Sequence, residues 1–352
     1  MGGSVVHRNR ALRNGSLGLL FVAAFQAVLV AQVATPNGAC CHALEVGPVV
    51  MTVADVDRSV DFYSHVLTFQ KVSDTDRSGP EFDQLYGIHD AHVRAVDLKL
   101  GDETIELLQF IGIAGASVPA DAHSNDLDFQ HVAIIVSDMG RAYSVLRQNH
   151  VEHISAYPQT LPEWNLNAAG IKAFYFKDPD GHPLEVLQFP NGKGDPKWHH
   201  ANGKLFLGID HTAIAVSNTD ASLAFYGTLL AMRVAGESDN YGFEQEHLNN
   251  VFGAHLRITA MRSSAGIGIE FLEYLAPHSG RPAPANPSAA DIAHHETVIA
   301  VDDLSGLNAA LMTQQFSGIY VKQITASQLL FNASQAELVR DPDGHFLLLL
   351  QH

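Results

Sequence analysis

The string DPDGH occurs twice, beginning at Asp178 and at Asp341, 163 residues apart. The same interval relates Phe62-Tyr63 to Phe225-Tyr226. It also relates Gly79, Glu81, Leu85, Ala91, His92 and Arg94 to Gly242, Glu244, Leu248, Ala254, His255 and Arg257, without a gap. Self-similarity at one fixed offset is the mark of tandem duplication, so any fold for this chain must be built twice.

Each copy reads as two smaller modules. The segment Phe174–Phe189 is strand, turn, strand: an aromatic triplet, then Asp178-Pro179-Asp180-Gly181 with a fixed φ at proline and a glycine free to take a positive one, then Leu184–Phe189. Glu185 is the odd residue in that last strand, and a carboxylate there must face solvent, pair with a cation or bind a metal. Upstream, Pro48–Val53 reads as a strand and Asp55–Leu67 as an amphipathic helix capped by Asp55. Val93–Leu100 and Thr104–Phe110 follow as strands. A second module begins at Phe129, with strand Gln130–Val136 and helix Met139–Gln148. A third begins at Gly208 and ends with strand Ile267–Tyr274. A fourth runs from His294, with a helix near Leu304–Gln314 and strands Glu337–Arg340 and Phe346–Gln351. The Gly-, Pro- and Lys-rich stretch Pro190–Lys204 marks the boundary between copies, and the Pro-rich stretch Ala276–Pro287 an inner linker. The predicted organisation is an export segment over 1–43, domain 1 over 44–192, a linker over 193–206 and domain 2 over 207–352. The class is α+β, because one module buries too little surface to stand alone and the modules must pair.

Composition narrows the partners. A formal charge of −17 argues against a nucleic-acid ligand, which would need a basic face. Residues 1–43 have the form of a secretory signal: Arg8, Arg10 and Arg13, then the apolar run Leu19–Ala34 broken only by Gln26 and Gln32, then small residues. The expectation is an exported protein, periplasmic or secreted. A retained anchor is the alternative, with any membrane tether confined to residues 19–34. Cys40 and Cys41 are the only cysteines, so a metal in the folded part must use imidazole, carboxylate or amide donors.

The strings HVAIIVSD (His131–Asp138), HTAIAVSN (His211–Asn218) with Phe225-Tyr226 after it, IELLQF (Ile105–Phe110), IEFLEY (Ile269–Tyr274) and FKDPDGHPLEVLQF resemble the vicinal oxygen chelate superfamily of glyoxalase I, bleomycin-resistance proteins and extradiol dioxygenases. The resemblance covers nearly everything after residue 44. It implies two βαβββ modules curled into a cup in each copy, with a divalent metal (Zn, Ni, Fe or Mn) held by side chains from the first and last strand of each module. Carried over by position, the slots of the first copy are Pro48, Glu106, His131 and Glu185, and those of the second are His211, Glu270, Glu296 and Leu348. Pro48 and Leu348 cannot ligate through their side chains, so each copy keeps three slots, with His295 adjoining Glu296 as a register alternative.

The first copy's set is similar to that of glyoxalase I, which implies a lyase, isomerase or epimerase acting on a small oxygenated substrate through an enediolate-like intermediate, with Glu185 or Glu106 shuttling the proton. A metal-free binding protein is implied if the eroded slots matter. An Fe(II) dioxygenase is implied if His295 takes the slot of Glu296. Arg94 and Arg257 read either as clamps for a substrate carboxylate or as surface ion pairs. Tyr63 and Tyr226 read as packing residues, His182 and His345 as exposed turn residues. Trp164 reads as covering apolar surface or lining a cup mouth.

Overall fold

A computed structural model describes residue 2 and residues 41–128, 130–313, 322–324 and 331–352. The predicted export segment therefore lies almost wholly outside the described residues, as do Cys40, Phe129 and Gln314. Among the described residues no helix is long and apolar enough to cross a membrane.

Module one contains β1 (Ala43–Thr52), α1 (Val56–His65), β2 (Gln70–Ser78), α2 (Pro80–Tyr86), β3 (His92–Leu100) and β4 (Glu103–Phe110). Module two contains β5 (Gln130–Val136), α3 (Met139–Gln148), the short β6 (Glu152–His153) and β7 (Gln159–Thr160), β8 (Lys172–Lys177) and β9 (Pro183–Gln188). Module three contains β10 (Phe206–Val216), α4 (Thr219–Ser222) running into a π-type turn, β11 (Arg233–Tyr241), α5 (Phe243–Asn249), β12 (His255–Arg262), β13 (Ala265–Gly266) and β14 (Gly268–Ala276). Module four contains β15 (His295–Val301), α6 (Leu304–Thr313), β16 (Lys322–Ile324), β17 (Gln335–Arg340) and β18 (Phe346–Gln351). Helices α1, α3 and α4 start where an Asx side chain caps them: Asp55 accepts from the Arg58 amide, Asp138 from Arg141 and Asn218 from Ala221. The predicted strands begin or end within a few residues of those observed. The largest difference is β1, which starts at Ala43 and brings Cys41 into the core, so the folded part does contain a cysteine.

The α+β class holds, but the pairing of modules differs from the expected one. β5 and β10, the first strands of modules two and three, lie antiparallel and unite those modules in one nine-stranded mixed sheet, β11-β12-β14-β10-β5-β9-β8-β6, with β7 on β8. β1 and β15 do the same for modules one and four, giving β16-β17-β18-β15-β1-β4-β3-β2, with β13 joined to β1. Each copy thus contributes one module to each sheet. A first strand has two edges. Its own module fills one, and any other first strand can fill the second with the same hydrogen bonds, so repeat spacing does not select the partner. We call the module two–three sheet inner and the other outer. Both are open-edged, and the strongly curled cup expected for each pair is not what they form.

The DPDGH turns hold consecutive modules together. Tyr63 Oη on α1 donates to Asp178 at 3.1 Å, and Asp180 accepts from Ser59 Oγ at 2.8 Å and from Arg58. The second copy repeats the contact, Tyr226 Oη to Asp341 at 3.1 Å. His182 and His345 are buried, contrary to the exposed turn positions expected. His182 Nδ1 faces Asp178 at 2.8 Å and Nε2 faces the Ile292 carbonyl at 2.6 Å. Both neighbours only accept, so both ring nitrogens must carry protons. Burial alone would push this imidazole down, but the Asp178 carboxylate outweighs it and raises the pKa to about 9.

Candidate metal centre

Register sets the floor of the inner sheet, because residues directly opposite across strands share a face. One row runs Tyr175, Glu185, Ala133, His211, Gly268, and the next runs His131, Ala213, Glu270, Ala260, Gly236. Two imidazoles and two carboxylates from two modules therefore stand on one patch, with only alanine and glycine between them. The small residues leave the ligating groups a clear line to one another.

His131 Nε2 lies 3.3 Å from Glu185 Oε2, and His211 Nε2 lies 3.7 Å from the same oxygen and 3.6 Å from Glu270 Oε2. Donors held about 2 Å from one transition-metal ion stand roughly 3–4 Å apart, which is the spacing found here. His131, Glu185 and His211 form the tight group, each with a donor within 4.8 Å of the others, and Glu270 stands at its edge. The buried Nε2 of His211 has no hydrogen-bond partner among the described residues, so a donor is left for a cation. The donor set thus fits a divalent metal.

A β-bulge prepares His211. Between Ile209 and His211 the register on β5 slips by one, with Asp210 as the extra residue. A bulge re-aims side chains, which lets Asp210 reach the ring of its own chain neighbour. Its Oδ2 accepts from His211 Nδ1 at 3.0 Å, fixing Nε2 as the atom turned to the cavity. Asp210 is itself held by Trp198 Nε1 at 3.0 Å and Arg262 Nη2 at 2.7 Å. Burial would lower the His211 pKa, but Glu270, Asp210 and Glu185 raise it to about 9. Burial raises Glu270 above the usual carboxylate range; His211 opposes this and Glu185 adds to it.

These residues open onto a cavity of about 590 Å³, walled by β11, β12, the loop before β8 and the linker carrying Trp198. The sequence model of the Glyoxalase/Bleomycin resistance protein/Dioxygenase superfamily matches residues 45–186 and 208–349, most of the chain. The chain belongs to that superfamily. Its fold is similar to that of glyoxalase I from Zea mays at 14% identity, with TM-score 0.57, over 88% of this chain and 92% of that one. It is similar also to a candidate dioxygenase from Bacillus subtilis, at 13% identity and TM-score 0.53, over 88% and 86%. At such identities the likeness is one of fold. A comparison with curated proteins found no match.

Within this superfamily member the regrouping of modules redistributes the slots. His131, Glu185, His211 and Glu270 share the inner sheet, while Pro48, Glu106, Glu296 and Leu348 share the outer one, so both lost ligands are on the same sheet. Val50 lies opposite both Glu106 and Glu296, as Ala213 lies opposite Glu270 and His131, so Glu296 and not His295 holds the slot. His295 instead bonds the Ala293 carbonyl, and burial lowers its pKa to about 3.

The outer carboxylates are already matched. Arg77 grips Glu106 with both guanidinium nitrogens, Nη1 at 2.8 Å from Oε1, and Glu296 pairs with His294 at 2.8 Å. Burial pushes Glu106 up to about 7 against the pull of Arg77, whereas Glu106 more than offsets the effect of burial on the Arg77 charge. The two parallel contacts favour the ionised pair. Val50 and Val298 stand where the inner sheet has Ala213 and Ala133. With Phe82, Tyr86 and Leu348 they fill the space that the inner sheet leaves open.

Arg94 and Arg257 do not line the cavity. Arg94 pairs with Asp57 at 3.0 Å and Asp74 at 2.9 Å, and Arg257 with Asp220 at 2.9 Å, so the surface ion-pair reading describes them. Alternation places Arg257 opposite the cavity, since Ile258, Ala260 and Arg262 of the same strand face it, and Arg94 stands on β3 of the outer sheet. Trp164 is half-exposed and packs on Tyr241 at 4.3 Å. Asp210, Trp198 and Arg262 were not singled out in the sequence. The Asp-His pair at 210–211 was the available signal, hidden because neighbouring strand residues ordinarily face opposite ways.

Proposed function

We propose that the inner sheet is a metal-dependent glyoxalase-type centre for a lyase, isomerase or epimerase reaction. The observation that carries this reading is the convergence of His131, Glu185, His211 and Glu270 on one small-residue floor beneath a cavity. His131, Glu185 and His211 would hold the ion, with Glu270 completing the set or standing free. A bound divalent cation supplies Lewis acidity toward oxygen atoms of the substrate. Glu185 is engaged by both histidines. Glu270 reaches only His211, is about one-fifth exposed to the cavity, and has a raised pKa. A carboxylate so placed suits a base that takes a proton from one carbon and returns it to the next. Asp210 keeps His211 oriented, and the walls of β11 and β12 shield the reacting atoms.

The test is metal content together with proton exchange. Purified chain should hold one divalent ion, His131→Ala should lose it, and Glu270→Gln should keep it. Metal-loaded wild type should exchange carbon-bound protons of α-hydroxy ketones with D2O, and Glu270→Gln should not. Wild type without stoichiometric metal would remove this reading. The tight group of two histidines and one carboxylate also suits an Fe(II) oxygenase, the second reading. Oxygen uptake with catechol by anaerobically iron-loaded chain would favour that one. The metal-free binding alternative rested on an eroded slot in each set, and the inner set lacks none. Export remains our proposal from residues 1–43 alone, tested by fractionating cells that express the full chain.

A further inference from the structure

We propose that Arg233 binds a carboxylate on the substrate, so that the cavity selects small oxygenated compounds with a ligating end and a carboxylate some 10 Å away. The proposal rests on the metal-centre reading of the same cavity. The row holding Glu185 and His211 continues past Gly268. A Cβ built there would lie 3.2 Å from His211 Cβ and 3.0 Å from the Arg262 guanidinium carbon. Arg262 in turn lies directly opposite Arg233 on the edge strand β11. His211, Gly268, Arg262 and Arg233 thus follow one another across four strands. Three spacings of about 4.8 Å put the end Cα atoms roughly 14 Å apart. The Arg233 side chain can span part of that distance, leaving on the order of 10 Å between the ligating centre and its guanidinium.

One side chain stands in the row between them: Arg262 folds over Gly268 toward Asp210. Beside it Gly236 and Ala260 keep the adjoining floor of the cavity low. Both arginines line the cavity, but only one is available. Arg262 donates to the Asp210 carbonyl at 2.9 Å and to its carboxylate, while Arg233 makes no hydrogen bond or ion pair among the described residues. The other charges of that wall are committed: Lys197 to Glu103 at 2.5 Å, Glu237 toward Arg257 at 3.5 Å, and Asp195 to the Lys197 amide at 2.8 Å. In a chain of net charge −17, a cavity cation left without a carboxylate is an uncommon arrangement. One planar fork of donors matches the two oxygens of a carboxylate, and its single positive charge balances a carboxylate but not a doubly charged phosphate, which is why a carboxylate is assigned here.

The experiment is calorimetric titration of the full chain, with and without one equivalent of Zn²⁺. The probes are octanedioic acid monohydroxamate, its methyl ester, the matching phosphonate and acetohydroxamate. Wild type should bind the acid about tenfold tighter than the ester, as one charge-assisted pair implies. Arg233→Ala should bind acid and ester alike and bind acetohydroxamate as wild type does, and Arg233→Lys should recover part of the difference. Equal binding of acid and ester by wild type, or discrimination surviving in Arg233→Ala, would overturn the proposal. Tighter binding of the phosphonate would overturn the carboxylate assignment. Acetohydroxamate binding that ignores zinc counts against the metal reading alone, because the acid–ester difference still decides the role of Arg233.

Discussion

Replacing Glu106 by Gln separates the two sheets experimentally. Glu106 was among the ligands the sequence suggested, yet it stands in the outer sheet, 1% exposed, locked to an Arg77 that is 8% exposed. The substitution leaves a buried guanidinium without its counter-charge, which costs about 3–5 kcal/mol. With a urea slope of roughly 3 kcal/mol per molar, the unfolding midpoint should fall by roughly 1–1.7 M. The double variant Arg77→Met, Glu106→Leu should regain most of that loss, because matched apolar side chains of similar volume replace a buried pair at little cost. Urea unfolding followed by circular dichroism measures stability, and elemental analysis of the same samples measures metal. The expected result is reduced stability with unchanged metal content. A Glu106→Gln protein that unfolds like wild type but has lost its metal would refute the assignment of the metal to the inner sheet.

Four further outcomes follow from the geometry. His182 is held protonated by Asp178 with a pKa raised to about 9, so its contribution is complete below pH 6.5 and is lost as pH rises through 9; thermal midpoints should decline across that window and His182→Gln should flatten the decline. Tyr63→Phe removes the 3.1 Å hydrogen bond to buried Asp178 and should cost about 1.5–3 kcal/mol in chemical unfolding. Asp210→Ala frees the ring of His211 and should weaken zinc binding by about 10–100-fold in competition with a chelating dye, with the fold retained. Gly268→Val places methyl groups against Arg262 and His211 and should lower metal occupancy more than it lowers the unfolding midpoint.

The legible parts of the fold were those with a strong local signal. Gln130–Val136 ends in the unbroken apolar run Val132–Val136 and Met139–Gln148 has one buried stripe behind an Asp cap, and both match their predicted bounds. β2 and β11 were not legible, because QKVSDTDRS and RVAGESDNY are almost wholly exposed edge strands and show no apolar alternation. α2 and α5 are seven residues each, too short for a helical period to appear. The ligating residue types could be read from the repeat, but their grouping could not. Whether His131 meets Pro48 or His211 depends on which first strands pair, a contact between residues some eighty apart with no local trace. For Arg94 and Arg257 the sequence left a clamp and a surface ion pair both open, and the structure shows the ion pairs. Sequence alone does not say which side of β3 or β12 faces the helices.

The exchange of modules has a consequence for how this gene can change. Neither copy owns a complete ligating floor, since His131 and Glu185 come from the first and His211 and Glu270 from the second. Recombination between the identical DPDGH stretches would keep His131 alone of the four, because His211 and Glu270 lie between the stretches and Leu348 would follow the joined turn in place of Glu185. Each copy therefore depends on the other to complete that floor, whereas the outer sheet carries Pro48 and Leu348 at the corresponding positions and can do without them as donors.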